Sequence, residues 1–85
     1  MKQFTYVIKD KEGIHARPAG LVVAEAKKYA SAVTIENKGK TVDLKRIIGV
    51  MSLCAKCGES VIVRCDGADE EAAAQAIEKV FQENL

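Results

Sequence analysis

From Phe4 to Ile8, the side chains of Phe4, Tyr6 and Ile8 fall on one side of the chain and those of Thr5, Val7 and Lys9 on the other. That period of two, in aromatic and β-branched residues, predicts a half-buried strand. After a polar turn at Asp10–Gly13 the period lengthens. Ala16, Ala19, Val22, Val23, Ala26, Tyr29 and Ala30 recur at helical spacing, with Glu25, Lys27 and Lys28 on the opposite face. Pro18 sits in the first turn, where its missing N–H would have had no intrahelical partner, so the helix is predicted to begin near Ala16. Alternation returns at Val33–Glu36 and Thr41–Leu44 with turn residues Asn37–Gly39 between, which predicts a β-hairpin. Ile47–Leu53 lacks polar alternation and puts Ile47, Ile48 and Met51 on one face of a short second helix. Ser60–Cys65, bounded by Gly58 and Asp66-Gly67, reads as a fourth strand. Asp69 then caps a last helix with Glu70 and Glu71 in its first turn and a stripe of Ala73, Ala76, Ile77, Val80 and Phe81.

The order β-α-β-β-α-β-α predicts an α+β fold, an open-faced sandwich of four mostly antiparallel strands with three helices on one face. Eighty-five residues leave room for one core, so residues 1–85 are read as one domain. Thirteen basic residues against twelve acidic ones give a net charge of +1, too little to attract nucleic acid or anionic lipid over a broad face. The longest uncharged apolar run, Ile47–Ala55, is far short of the roughly 18 residues needed to cross a bilayer. Lys9, Asp10, Lys11 and Glu12 interrupt any secretory core, so a cytoplasmic protein with reduced cysteines is expected.

Chemistry concentrates where the first helix begins. His15 is the only histidine, and the string Gly13-Ile14-His15-Ala16-Arg17-Pro18-Ala19 places it between a turn and a helix N-terminus. The unpaired first-turn amides, including those of Ala16 and Arg17, and the positive end of the helix dipole can hold an anion. The Arg17 guanidinium can grip phosphate oxygens. Such positive surroundings would keep the imidazole neutral and nucleophilic toward phosphorus. A lone histidine here also reads as a helix cap or a surface-turn residue, and the residues alone leave the two readings in balance. Cys54-Ala55-Lys56-Cys57 has CxxC spacing, with Cys65 further on. Three cysteines and a distant histidine do not make a four-ligand zinc site, so the thiols are read as incidental and no metal is expected.

The string Gly-Ile-His-Ala-Arg-Pro-Ala, with Asn37-Lys38-Gly39-Lys40, Ile48-Gly49-Val50-Met51-Ser52-Leu53 and Gly67-Ala68-Asp69-Glu70, resembles the histidine-containing phosphocarrier family HPr over nearly the whole chain. The resemblance implies a phosphocarrier of the phosphoenolpyruvate-dependent sugar phosphotransferase system rather than an enzyme. Its phosphoryl group would pass from enzyme I to His15 and on to enzyme IIA domains. It further implies attachment at Nδ1, stabilisation by Arg17 and by the Ala16 and Arg17 amides, no cofactor, and a monomer. Ala16 and Gly20 on the first helix, with Ile47, Ile48, Gly49, Met51 and Ser52 on the second, would form the partner surface, open to regulatory proteins as well. A short helix cannot turn all its apolar residues inward, so Ile48 and Met51 are expected to stay exposed.

Two positions depart from the family pattern. Many relatives carry a serine before the second helix that a dedicated kinase phosphorylates; here Arg46 has neither a hydroxyl nor a capping oxygen. The usual small polar residue before Gly13 is Glu12, a carboxylate that would repel phosphate or pair with Arg17.

Overall fold

The seven elements form in the predicted order in a computed structural model describing residues 1–85: β1 (Lys2–Val7), α1 (Ala16–Ala26), β2 (Ala32–Asn37), β3 (Lys40–Asp43), α2 (Ile47–Ser52), β4 (Ser60–Asp66) and α3 (Glu70–Asn84). The strands make one sheet in the order β1-β4-β2-β3, every neighbouring pair antiparallel. Register follows from alternation. Phe4 lies opposite Val63, Val63 opposite Ile35 and Ile35 opposite Val42, so one apolar row crosses all four strands. The β2–β3 hairpin closes through Lys38 (φ 52°) and Gly39 (φ 82°), the two left-handed residues that a tight two-residue turn demands.

The helices cover the apolar face. Phe81 of α3 is fully buried and meets Phe4 and Tyr6 edge-on, with ring centroids 5.7 and 5.5 Å away. Val22, Val23 and Ala26 of α1 and Val50 of α2 complete the same core. The opposite face stays polar: Arg64 pairs with Glu36 at 2.7 Å and donates to Gln3. No helix is long and apolar enough to cross a membrane.

α1 stops earlier than its predicted stripe, at Ala26 rather than Ala30. The cause lies across the molecule. The Asp69 carboxylate accepts the Ala30 and Ser31 amides at 2.8 and 2.9 Å, together with the Ser31 hydroxyl, and so draws the chain out of the helix. Asp69 therefore occupies the N-cap position of α3 while its side chain makes no capping bond. Ala16, counted in the stripe, is exposed at the helix end. The N-cap of α2 is Arg46, whose side chain likewise caps nothing.

Two measurements probe this frame. Phe81→Ala empties the centre of the core and should cost about 3 kcal/mol in urea unfolding. The Ser31 hydroxyl first, then the Ala30 amide, hold the Asp69 carboxyl below its usual range. A lowered native value means this stabilisation is complete above the ordinary aspartate range near about 3.9 and fades as pH falls through the native value. The difference in Tm between the native chain and Asp69→Asn should accordingly shrink on acidification below about pH 4.

Candidate functional site

Backbone contacts from three directions fix the loop that carries His15. Asp10 Oδ1 accepts the Glu12 amide at 2.9 Å and the Asp10 carbonyl accepts the Gly13 amide at 2.9 Å, an Asx-type turn. Gly13 has φ +69°, and a Cβ there would overlap the Ala55 carbonyl oxygen and lie 2.9 Å from Lys56 Cα. Only glycine meets both conditions. The buried Ile14 donates its amide to the same Ala55 oxygen at 2.9 Å. From the far side, the Leu85 main-chain oxygen accepts the Lys9 and Asp10 amides at 2.6 and 3.0 Å.

This framework delivers His15 to the N-cap of α1 in an extended conformation (φ −111°, ψ −178°) with no side-chain capping bond. The helix-cap reading of the imidazole is thereby removed. The helical ladder starts with the Ala19 amide on the His15 carbonyl at 3.0 Å; the Ala16 and Arg17 amides have no partner, and Pro18 has none to offer. Arg17 is exposed and lines, with His15, Asp10, Pro18, Leu21 and Glu83, a shallow cleft of about 260 Å3. Two free backbone donors, a guanidinium and an imidazole that caps nothing thus share one end of one helix, a set suited to a phosphoryl group.

The surroundings of the ring are not uniformly positive, contrary to expectation. Asp10 Oδ2 lies 3.6 Å and Glu12 Oε2 3.4 Å from His15 Nε2. The Asx turn folds both carboxylates back over the imidazole, so Glu12 faces His15, and of its two alternatives the pair with Arg17 does not form. Asp10, Glu12 and His15 are the one group of three potential metal ligands that converges, their atoms within 4.8 Å of one another. The cysteines stay apart from it. Cys54 and Cys57 are exposed free thiols on the loop after α2, whereas Cys65 is buried on β4, where burial pushes its thiol up.

Of the residues assigned to a partner surface, Ala16, Gly20, Ile47, Met51 and Ser52 are exposed, Gly49 is half-buried and Ile48 is 81% exposed. Val50 alone of α2 is buried. Leu21, absent from that assignment, is a further exposed apolar residue on α1, which packs against α2. Sequence reasoning also missed Asp10 beside the imidazole and the anchoring by Ala55 and Leu85. The Asp10-x-x-Gly13 spacing is an Asx-turn signature that could have pointed to Asp10; Leu85 has no local signal.

The sequence matches the family described as PTS HPr component phosphorylation site over residues 2–83. It is similar to the solved histidine-containing phosphocarrier protein of a mycoplasma, with 38% identity, coverage of 96% of this chain and 93% of that one, and a TM-score of 0.95. HPr of Thermoanaerobacter tengcongensis shares 41% identity over 98% and 93% of the two chains, with a TM-score of 0.93. HPr of Bacillus anthracis shares 37% over 95% and 96%, with a TM-score of 0.88. Structures of Thermoanaerobacter tengcongensis HPr and Bacillus subtilis Crh are also known as dimers. The chain belongs to the HPr family, the phosphocarrier proteins of the phosphotransferase system, which carry a phosphoryl group and are not catalysts.

Gly13→Ala tests the backbone framework. A side chain at a left-handed position against a fixed carbonyl should cost about 2 kcal/mol or more in urea unfolding. It should also shift the amide resonances of Ile14 to Arg17 and of Ala55 in NMR spectra.

Proposed function

We propose that this carrier domain, residues 1–85, accepts a phosphoryl group on His15 from phosphorylated enzyme I and passes it to enzyme IIA domains in sugar uptake. One observation carries the reading: the His15 ring caps nothing, while the Ala16 and Arg17 amides beside it have no partner. A phosphoryl group on this histidine would accept those amides and the Arg17 guanidinium, charge-assisted bonds that a helix start supplies without rearrangement. No cofactor or metal is needed. Gly20 and Ala16, with Ile47, Ile48, Gly49, Met51 and Ser52, form an apolar patch beside the site on which both partners would dock in turn.

Regulation through a kinase acting before α2 is absent in this reading. Arg46 is exposed there, its Nε 3.7 Å from Asp43, and it offers no hydroxyl. The carrier works in the cytoplasm as a monomer, although relatives form dimers.

The test is intact mass after incubation with enzyme I and phosphoenolpyruvate. The native chain should gain one acid-labile phosphoryl group and His15→Ala none, while Arg17→Ala should gain it on the order of tenfold more slowly. No mass gain by the native chain, with an enzyme I that phosphorylates another carrier, would refute the proposal.

A further inference from the structure

We infer that Asp10 and Glu12 are positioning residues that hold the proton of His15 on Nε2 before, during and after phosphoryl transfer. The inference rests on the carrier reading above and adds what this chain's own carboxylates do to it. Both negative charges lie on the Nε2 side of the ring: Asp10 Oδ2 and Glu12 Oε2 are 3.6 and 3.4 Å from Nε2, close enough for charge attraction without a formed hydrogen bond. A ring nitrogen beside two negative charges is the one whose positive N–H dipole is favoured, and the other nitrogen then carries the lone pair. Nδ1 is left as the nucleophile.

The two carboxylates differ in strength. Asp10 is pinned, since its Oδ1 holds the Glu12 amide and its own amide is held by the Leu85 oxygen; its side chain is 30% exposed. Glu12 is 73% exposed and makes no other side-chain contact of this kind, so water screens it. Asp10 therefore dominates, and Glu12 reinforces it.

The consequence for transfer follows from charge balance. On acceptance, the bond from the phosphorylated protein donor to phosphorus breaks and its electron pair stays with the donor. The Nδ1 lone pair forms the new bond, and the ring, still protonated at Nε2, gains a positive charge that faces the carboxylates. On delivery, the Nδ1–P bond breaks, the pair returns to Nδ1, and the imidazole leaves neutral with its Nε2 proton in place. No proton enters or leaves. Were Nε2 deprotonated, the departing group would be an imidazolate, a far poorer leaving group. The pair thus keeps the phosphorylated ring reactive.

The experiment records 15N shifts of the His15 ring at about pH 8.5, where an ordinary imidazole is neutral, in the native chain, Asp10→Asn, Glu12→Gln and the double variant. Asn keeps an oxygen for the Glu12 amide and turns an N–H toward Nε2. The native ring should be the Nε2–H tautomer. Asp10→Asn should populate Nδ1–H, Glu12→Gln less so, and the double variant most. The half-life of the acid-labile phosphorylated form made by enzyme I should lengthen in the same order, by about fivefold in the double variant. An unchanged tautomer in the double variant, with its amide spectrum intact, overturns the inference. So does an unchanged half-life. If Asp10→Asn does not fold, Asp10→Ser, whose hydroxyl oxygen can still accept the Glu12 amide, takes its place alone and paired with Glu12→Gln, under the same criteria. Failure of enzyme I to phosphorylate the native chain would refute the carrier reading instead, and the tautomer measurement, which needs no donor, would still decide this one.

Discussion

The site depends on one backbone contact, the approach of Gly13 and Ile14 to the Ala55 carbonyl. That oxygen takes the Ile14 amide at 2.9 Å while Gly13 packs against it too closely for any Cβ. The loop before α1 and the loop after α2 are thereby joined edge to edge, and the Ile8 carbonyl adds a second tie by accepting the Gly58 amide at 2.7 Å. A histidine on a short loop would otherwise sample many orientations. Here its backbone is held by neighbours on both sides, so the free amides of Ala16 and Arg17 are set in place beside the residue. Preorganised donors stabilise a transferred anion without a reorganisation cost at the moment of transfer.

Electrostatic contributions of opposite sign then meet at a single ring. The helix start and Arg17 favour an anion, whereas Asp10 and Glu12 oppose one and attract positive charge at Nε2. A phosphorylated imidazole carries both charges, negative on phosphorus and positive on the ring. On the proposed reading of His15, the site would answer each part separately. A site that only bound phosphate tightly would trap it, which a carrier cannot allow.

The elements were readable in the sequence because their signals are local. Alternation at Phe4–Ile8, the β-branched run Val61–Val63 and the turn residues Asn37–Gly39 need nothing beyond neighbouring residues to be interpreted. The end of α1 was not readable. It is set by Asp69, which is 39 residues from Ala30 and reaches it only in the folded chain. The site divides in the same way. His15, Arg17 and the two free amides follow from a helix start and a family resemblance. The carboxylates over Nε2 require the Asx turn at Asp10 to fold back, and the Leu85 contact joins the end of α3 to the start of the site loop, a juxtaposition that no spacing encodes.

The apolar patch beside the site has a related physical origin. α2 spans Ile47–Ser52, fewer than two turns, and lies so close to β3 that a Cβ on Gly49 would sit 3.5 Å from that of Val42. A helix this short and this close can send one side chain inward, and Val50 takes that place. Ile47, Ile48 and Met51 are then forced outward, where Leu21 of the neighbouring α1 is also exposed. Apolar surface left in water favours a partner that covers it. A patch limited to one short helix and part of another offers little area to bury, so partners docking there as proposed would form complexes of the weak, transient class. In the proposed carrier cycle, release after each transfer would follow from the same geometry that creates the attraction.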